Sequence, residues 1–143
     1  MSIKEIQKDI VKMFEEITEW DEKYALLIKL GRELKEFSEE FRTEKNKIEG
    51  CQSQVWLNAS FKDGKIYLDA DSDSTIVKGL AALLLKVYSG QAPSDILVSP
   101  PDYLHEIGID SHLSPTRKNG LGAMLKQIQL YAVAFNALNQ GVK

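Results

Sequence analysis

The chain carries one cysteine, Cys51, within the stretch EGCQSQVW (49–56), and two histidines, His105 and His112. A closely spaced acidic pair, Asp71 and Asp73, and a basic pair, Arg117 and Lys118, complete the side chains whose types and spacing could do chemistry. A free cysteine is most often a small buried hydrophobe, but the neighbours of Cys51 argue against that setting. Gln52, Ser53 and Gln54 are polar, and Gly50 permits an unusual backbone at what reads as a loop-to-strand junction. Lys45 and Lys47 favour a thiolate there and Glu49 opposes it. A cysteine hydrolase would need a histidine base beside the thiol. By residue type either His105 or His112 could serve, and a peroxide-reactive thiol is equally compatible. Zinc and iron–sulfur centres need about four ligands, typically rich in cysteine. One cysteine and two histidines without ligand-like spacing exclude such a metal site as an expectation. Asp71-Ser72-Asp73 stands directly before an apolar run, where helix capping is favoured over acid–base or metal work. Arg117 follows Pro115 at a helix start and is suited to an anion or to plain solvation.

The elements that must position these groups follow from composition and periodicity. With 143 residues, 43% hydrophobic and 27% charged, the sequence reads as one packed domain over 1–143, without repeat or linker. A net charge of −3 with interspersed signs lacks the basic stripe of a nucleic-acid binder. The longest apolar run, GLAALLL (79–85), is too short to cross a bilayer, and MSIKEIQKDI lacks the apolar segment of a signal peptide. A single cysteine cannot form an internal disulfide, so the expected compartment is the cytoplasm.

Ser2 and Glu5 have capping-box spacing, and Ile3, Ile6, Ile10, Met13, Phe14 and Ile17 continue as a helical stripe. A second helix, EKYALLIKLG, would be capped by Thr18 or Asp21 and ended by Gly31. The charged run 33–49 has only Leu34, Phe37, Phe41 and Ile48 as anchors and reads as a short helical piece and an exposed loop. QVWLNAS (54–60) and KIYLDA (65–70) are strands joined by a hairpin turn at Asp63-Gly64, and DILVSP suggests a third strand. DSDS offers caps for a nearly all-apolar central helix ending at Ser89-Gly90. PPDYLHEIG reads as a short helix capped by Asp102. The last helix carries the stripe Leu121, Met124, Leu125, Ile128, Ala132, Phe135 and Leu138. The fold class expected is α+β, a small antiparallel sheet with helices packed on one face.

EGCQSQVW closely resembles the signature of the SufE family, sulfur acceptors that work with cysteine desulfurases in iron–sulfur cluster assembly. WDEKYALLIKLGREL (20–34), DSDSTIVKGLAALLLKVYSGQAPSDI (71–96) and HLSPTRKNGLGAML (112–125) resemble further family blocks in family order. Ala70 and Ser114 depart from the usual Gly and Thr, and both preserve the local role. The resemblance implies a fold like that of IscU-type scaffolds and a chain that is a transfer partner rather than an enzyme. It implies that Cys51 accepts persulfide sulfur, with Gly50, Gln52, Ser53 and Gln54 shaping the supporting loop and Trp56 packing beneath it. It further implies that Asp73 caps the central helix or tethers the loop, and that Arg117 steadies the loop or faces the desulfurase. The charged 33–49 segment becomes a docking surface on this reading. The implied partners are a SufS-like desulfurase, which itself holds the pyridoxal phosphate, and a SufBCD-like scaffold complex. No cofactor, metal, nucleic acid or membrane is implied for this chain, and a homodimer is compatible with the sequence.

Overall fold

The computed structural model describes residues 1–49 and 52–141, with side chains of the final helix described through Leu138. Among the described residues, helices surround a hairpin in the order α1 (Ile3–Glu15), α2 (Trp20–Arg32), β1 (Val55–Lys62), β2 (Lys65–Ser72), α3 (Thr75–Tyr88), α4 (Pro93–Leu97), α5 (Asp102–Glu106) and α6 (Pro115–Gly141). Short 3₁₀ turns lie at Glu39–Phe41 and Ile109–Ser111. The capping box at the start of α1 forms as its spacing predicts: the Glu5 amide donates to Ser2 Oγ at 3.2 Å, and Ser2 N donates to Glu5 Oε1 at 3.3 Å.

β1 and β2 pair antiparallel, from Lys62 opposite Lys65 out to Val55 opposite Ser72. The connecting pair, Asp63 and Gly64, both take positive φ (53° and 79°), as a right-twisting two-residue hairpin requires. Alternation then sorts the ladder into two faces. Val55, Leu57, Ile66, Leu68 and Ala70 are buried on the inner face. Trp56, Asn58, Asp69 and Asp71 lie on the other.

The inner face packs on α3, whose Leu80, Ala81, Leu83, Leu84 and Val87 are wholly or almost wholly buried. This is the buried centre that an all-round apolar helix dictates. On its far side α2 crosses α3 through two glycines. A Cβ on Gly31 would lie 2.9 Å from Gly79 N, and one on Gly79 would lie 3.1 Å from Leu27 Cβ. α6 completes the core with Leu121, Met124, Ile128 and Ala132, and Phe135 stacks on Phe61 of β1 with ring centroids 5.1 Å apart.

Several expectations are corrected. The DILVSP segment is not a strand: Pro93 and Ile96 are buried at helical spacing in α4, while Leu97 and Val98 are exposed. Proline fixes φ near the helical value and lacks only an N–H that the first turn leaves unpaired, so it starts this helix well. Gly31 does not end the second helix but lies buried within it, serving the close crossing. Neither Thr18 nor Asp21 caps α2; Glu19 holds the N-cap position without a side-chain bond. Pro101 rather than Asp102 occupies the N-cap position of α5. Leu138, assigned by periodicity to the buried stripe, is 58% exposed because the core ends before the helix does.

Candidate functional site

The segment before Cys51 is held against the first strand. Ile48 N donates to Val55 O (2.8 Å), Leu57 N donates to Asn46 O (2.9 Å), and Lys47 faces Trp56 in an antiparallel bridge. Residues 49–54 therefore connect two paired limbs. Cys51 and Gly50, the expected acceptor and its glycine, lie outside the described residues.

The exit limb is tied separately. Gln54 N donates to Asp73 Oδ1 (3.0 Å), Asp73 N donates to Gln54 O (3.2 Å), and Ser72 Oγ donates to the same carbonyl (2.8 Å). Asp73 thus spends its carboxylate on the loop. It does not cap α3, because Ser74 does, accepting from Val77 N at 3.3 Å. The carboxylate receives the Gln54 amide, and the capping expected of Asp73 falls to Ser74. Gln52 and Gln54 are exposed and Ser53 is half-buried.

Around Trp56 and Asp71 lies an arrangement that sequence reasoning missed. Arg42 leaves the 3₁₀ turn and forms ion pairs with Glu39 (2.7 Å) and with Asp71. Its guanidinium also lies over Trp56 (5.1 Å to the ring centroid) and Phe37 (5.3 Å). Lys78 of α3 meets the other oxygen of Asp71 at 3.3 Å. Partial burial works to raise the Asp71 carboxyl, but Arg42, the Ser72 amide and Lys78 outweigh it and hold Asp71 below the usual carboxylate range. Trp56 is therefore a packing group, as expected, and Arg42 is the strap across it. The available signal was weak: Arg42 is a lone guanidinium in an acidic stretch, EEFRTE, next to the one segment that had to reach the sheet.

Arg117 is exposed in the first turn of α6, its amide donating to Ser114 Oγ at 3.3 Å. Ser114 thus plays the N-terminal role expected of it. Between the 44–49 segment and α6 runs a groove of about 410 Å³, bordered by Lys45, Lys47 and Lys126 and by the apolar Ile48 and Leu130.

The histidines are engaged elsewhere. His112 stacks face to face on Trp20 (3.6 Å between centroids) and its Nδ1–H donates to Gly108 O at 3.0 Å. His105 Nδ1 meets Asp110 Oδ2 at 2.9 Å across the short connection from α5. Among the described residues, neither contacts the limbs that flank Cys51. No helix in the described residues is long and apolar enough to cross a membrane.

Comparison with known proteins shows the family by sequence and the fold by structure. The family model described as SufE, an Fe-S metabolism associated domain, matches residues 8–132. SufE-like protein 1, chloroplastic/mitochondrial, of Arabidopsis thaliana is 43% identical over 127 residues, covering 88% of this chain and 34% of the plant protein. The chain thus spans about a third of that relative's length. SufE-like proteins of Synechocystis (37% identical, 88% of this chain, 79% of that protein) and Rhizobium meliloti (38%, 84% and 89%) match over most of both chains. The solution structure of a hypothetical protein from Thermus thermophilus superposes with a TM-score of 0.75 over 90% of this chain and 94% of that one, and its 21% identity speaks to the fold alone. On these grounds the chain belongs to the SufE family and has a place in iron–sulfur metabolism.

Proposed function

We propose that this chain is a sulfur acceptor and activator for a pyridoxal-phosphate cysteine desulfurase, with Cys51 as the accepting thiol. The Cys51 thiolate attacks the outer sulfur of the desulfurase's cysteine persulfide. A new S–S bond forms to Cys51, the old one breaks, and the desulfurase thiolate leaves with the electron pair. Cys51 persulfide then delivers its sulfur to a SufBCD-like scaffold. One observation carries this reading: the described residues on either side of the only cysteine are pinned, Ile48 to Val55 and Gln54 to Asp73. A carrier needs its thiol presented at a fixed place and no second thiol to discharge the sulfur as sulfide. With one cysteine there is no internal disulfide for an oxidising compartment to form, which is consistent with the cytoplasm. The groove bordered by Lys45, Lys47 and Lys126, with Glu44 and Glu49 interspersed, supports the 44–49 segment as part of the docking surface.

The test is intact mass after incubation with an active cysteine desulfurase and free cysteine, without reductant. The expected result is a gain of one sulfur atom; no gain with desulfurases shown to be active overturns the proposal.

Two of the expected site residues, Asp73 and Arg117, have separable expected effects. Asp73→Ala frees the Gln54 limb, and iodoacetamide should label Cys51 in the free protein about tenfold faster, the order expected for losing a hydrogen bond to a charged group. An unchanged labelling rate would remove Asp73 from loop control. Arg117→Ala should leave that labelling rate alone and raise the half-saturating concentration for desulfurase stimulation about tenfold, as for an interfacial arginine. If stimulation is unaltered, Arg117 is an ordinary surface residue.

A further inference from the structure

The described residues on both sides of Cys51 are fastened to one short run, Asp71-Ser72-Asp73, at the end of β2. On the exit side, the Gln54 backbone is held by Ser72 Oγ and by both the amide and the carboxylate of Asp73. On the entry side the tie is Arg42, whose Nη2 donates to Asp71 Oδ2. From Arg42 the chain turns back at once: Asn46 Nδ2 donates to Phe41 O (2.9 Å) and Asn46 N to Thr43 O (3.2 Å). Lys47 and Ile48 then pair with Trp56 and Val55, which places β1 between the entry segment and β2. The guanidinium therefore spans β1, over Trp56, from the entry segment to the far strand.

Edge pairing of so few residues is by itself a slender hold on a charged segment. Arg42 adds a charge-assisted bond to it. The side chains of Arg42 and Asp71 are 27% and 13% exposed, so their attraction is screened less than that of a surface pair. The second ion pair of Arg42 differs: Glu39 is 85% exposed, and pairs of that kind contribute little. Only the Asp71 bond joins the entry segment to the residues that also hold Gln54.

We infer that Arg42 is a positioning residue for the Cys51 thiol: through Asp71 it fixes the entry side of that cysteine to the same run that fixes the exit side. Its action passes through the 44–48 segment and not through contact with the reacting atoms. The inference rests on the sulfur-acceptor reading for its purpose, since a carrier must present one sulfur to two partners in turn from a fixed place.

Iodoacetamide labelling of Cys51 in the free full chain, well below Tm, reads the positioning without a desulfurase. Arg42→Ala should label about tenfold faster than the unaltered chain, the order expected for losing a charge-assisted hydrogen bond. Lys78 still meets Asp71 in that variant, so the carboxylate keeps a partner. Asp71→Asn should label as fast, and adding Arg42→Ala to it should change nothing further, because the two share one interaction. Glu39→Gln should stay within about twofold of the unaltered rate. Phe14→Leu, a change in the α1 core, controls for stability, since it lowers Tm and should leave labelling alone. An unchanged rate in Arg42→Ala overturns the inference, and so does an acceleration no greater than that of Phe14→Leu at a matched loss of Tm. Additive effects of Arg42→Ala and Asp71→Asn overturn it too. With a desulfurase at saturation, Arg42→Ala should slow single-turnover sulfur uptake about tenfold, as for a misplaced nucleophile. If the unaltered chain gains no sulfur, the acceptor reading fails and labelling still decides the role of Arg42. If both chains gain sulfur at one rate, the acceptor reading stands and Arg42 is not a positioning residue.

Discussion

Serine at position 51 is expected to abolish sulfur uptake outright while leaving the melting temperature nearly unchanged. The substitution exchanges a single atom, sulfur for oxygen, in the polar run Cys51-Gln52-Ser53-Gln54, so little packing energy is expected to be at stake. The chemistry is affected wholly. A thiol is a few per cent ionised at neutral pH and strongly nucleophilic towards sulfur, whereas a serine hydroxyl is not ionised and forms no stable bond to persulfide sulfur. With a desulfurase and free cysteine, Cys51→Ser should therefore show no added mass, and stimulation of desulfurase turnover should fall to the level without the chain. Stimulation that persists in Cys51→Ser would mean that docking alone activates the desulfurase and that the thiol is incidental. The rival reading, a stand-alone hydrolase or peroxide-reactive thiol, fails or survives on a different pair. His105→Gln together with His112→Gln leaves a carrier competent and disables a histidine-dependent hydrolase. The observed engagements of His105 with Asp110 and of His112 with Trp20 favour the first result.

Much of the geometry around that thiol was legible because hairpin register is rigid. Once Asp63-Gly64 is read as a two-residue turn, Lys62 must face Lys65, and pairing proceeds outward one residue at a time. The same count brings Trp56 opposite Asp71 and, one step beyond the last strand pair, Gln54 beside Asp73. The tether thus follows from the turn. The α3 core was readable for a similar reason, since a helix apolar on every side has nowhere to go but the centre.

What escaped reading depended on contacts far apart in the chain. Capping at 71–74 offered several acceptor side chains within one turn, and only the strand's end point decides that Ser74 caps while Asp73 reaches Gln54. The DILVSP segment has the β-branched and aliphatic residues of a strand, yet Pro93 starts a helix there instead. Arg42 pairs with a carboxylate 29 residues away, which periodicity does not encode. Local rules see glycine as a breaker and so mark Gly31 as a stop signal. Its real partner is Gly79, 48 positions on (79 minus 31).

That glycine pair supports the second large effect. Alanine at position 79 should destabilise the protein by about 3 kcal/mol, lowering Tm by roughly 10 °C. Helix propensity alone predicts the opposite, a gain of about 1 kcal/mol for Gly→Ala in a helix interior. The added Cβ, however, would overlap the Leu27 carbonyl and lie 3.1 Å from Leu27 Cβ, both part of a neighbouring helix rather than a flexible side-chain tip. Relief requires α2 to move away from α3, which opens the buried contact of Leu27 and Leu30 with the central helix. Gly122→Ala is the internal control, since it has the same propensity gain with nothing within 4 Å of the new Cβ. Thermal unfolding of the two variants should shift in opposite directions, Gly79→Ala down and Gly122→Ala up by a few degrees. Equal upward shifts would show that α2 and α3 do not cross at this distance. The loss in Gly79→Ala should also reach the residues that flank Cys51, because Lys78, the preceding residue, meets Asp71, which pairs across the strands with Trp56. Displacing α3 loosens that ion pair first, so Cys51 labelling in Gly79→Ala should quicken at temperatures well below its Tm.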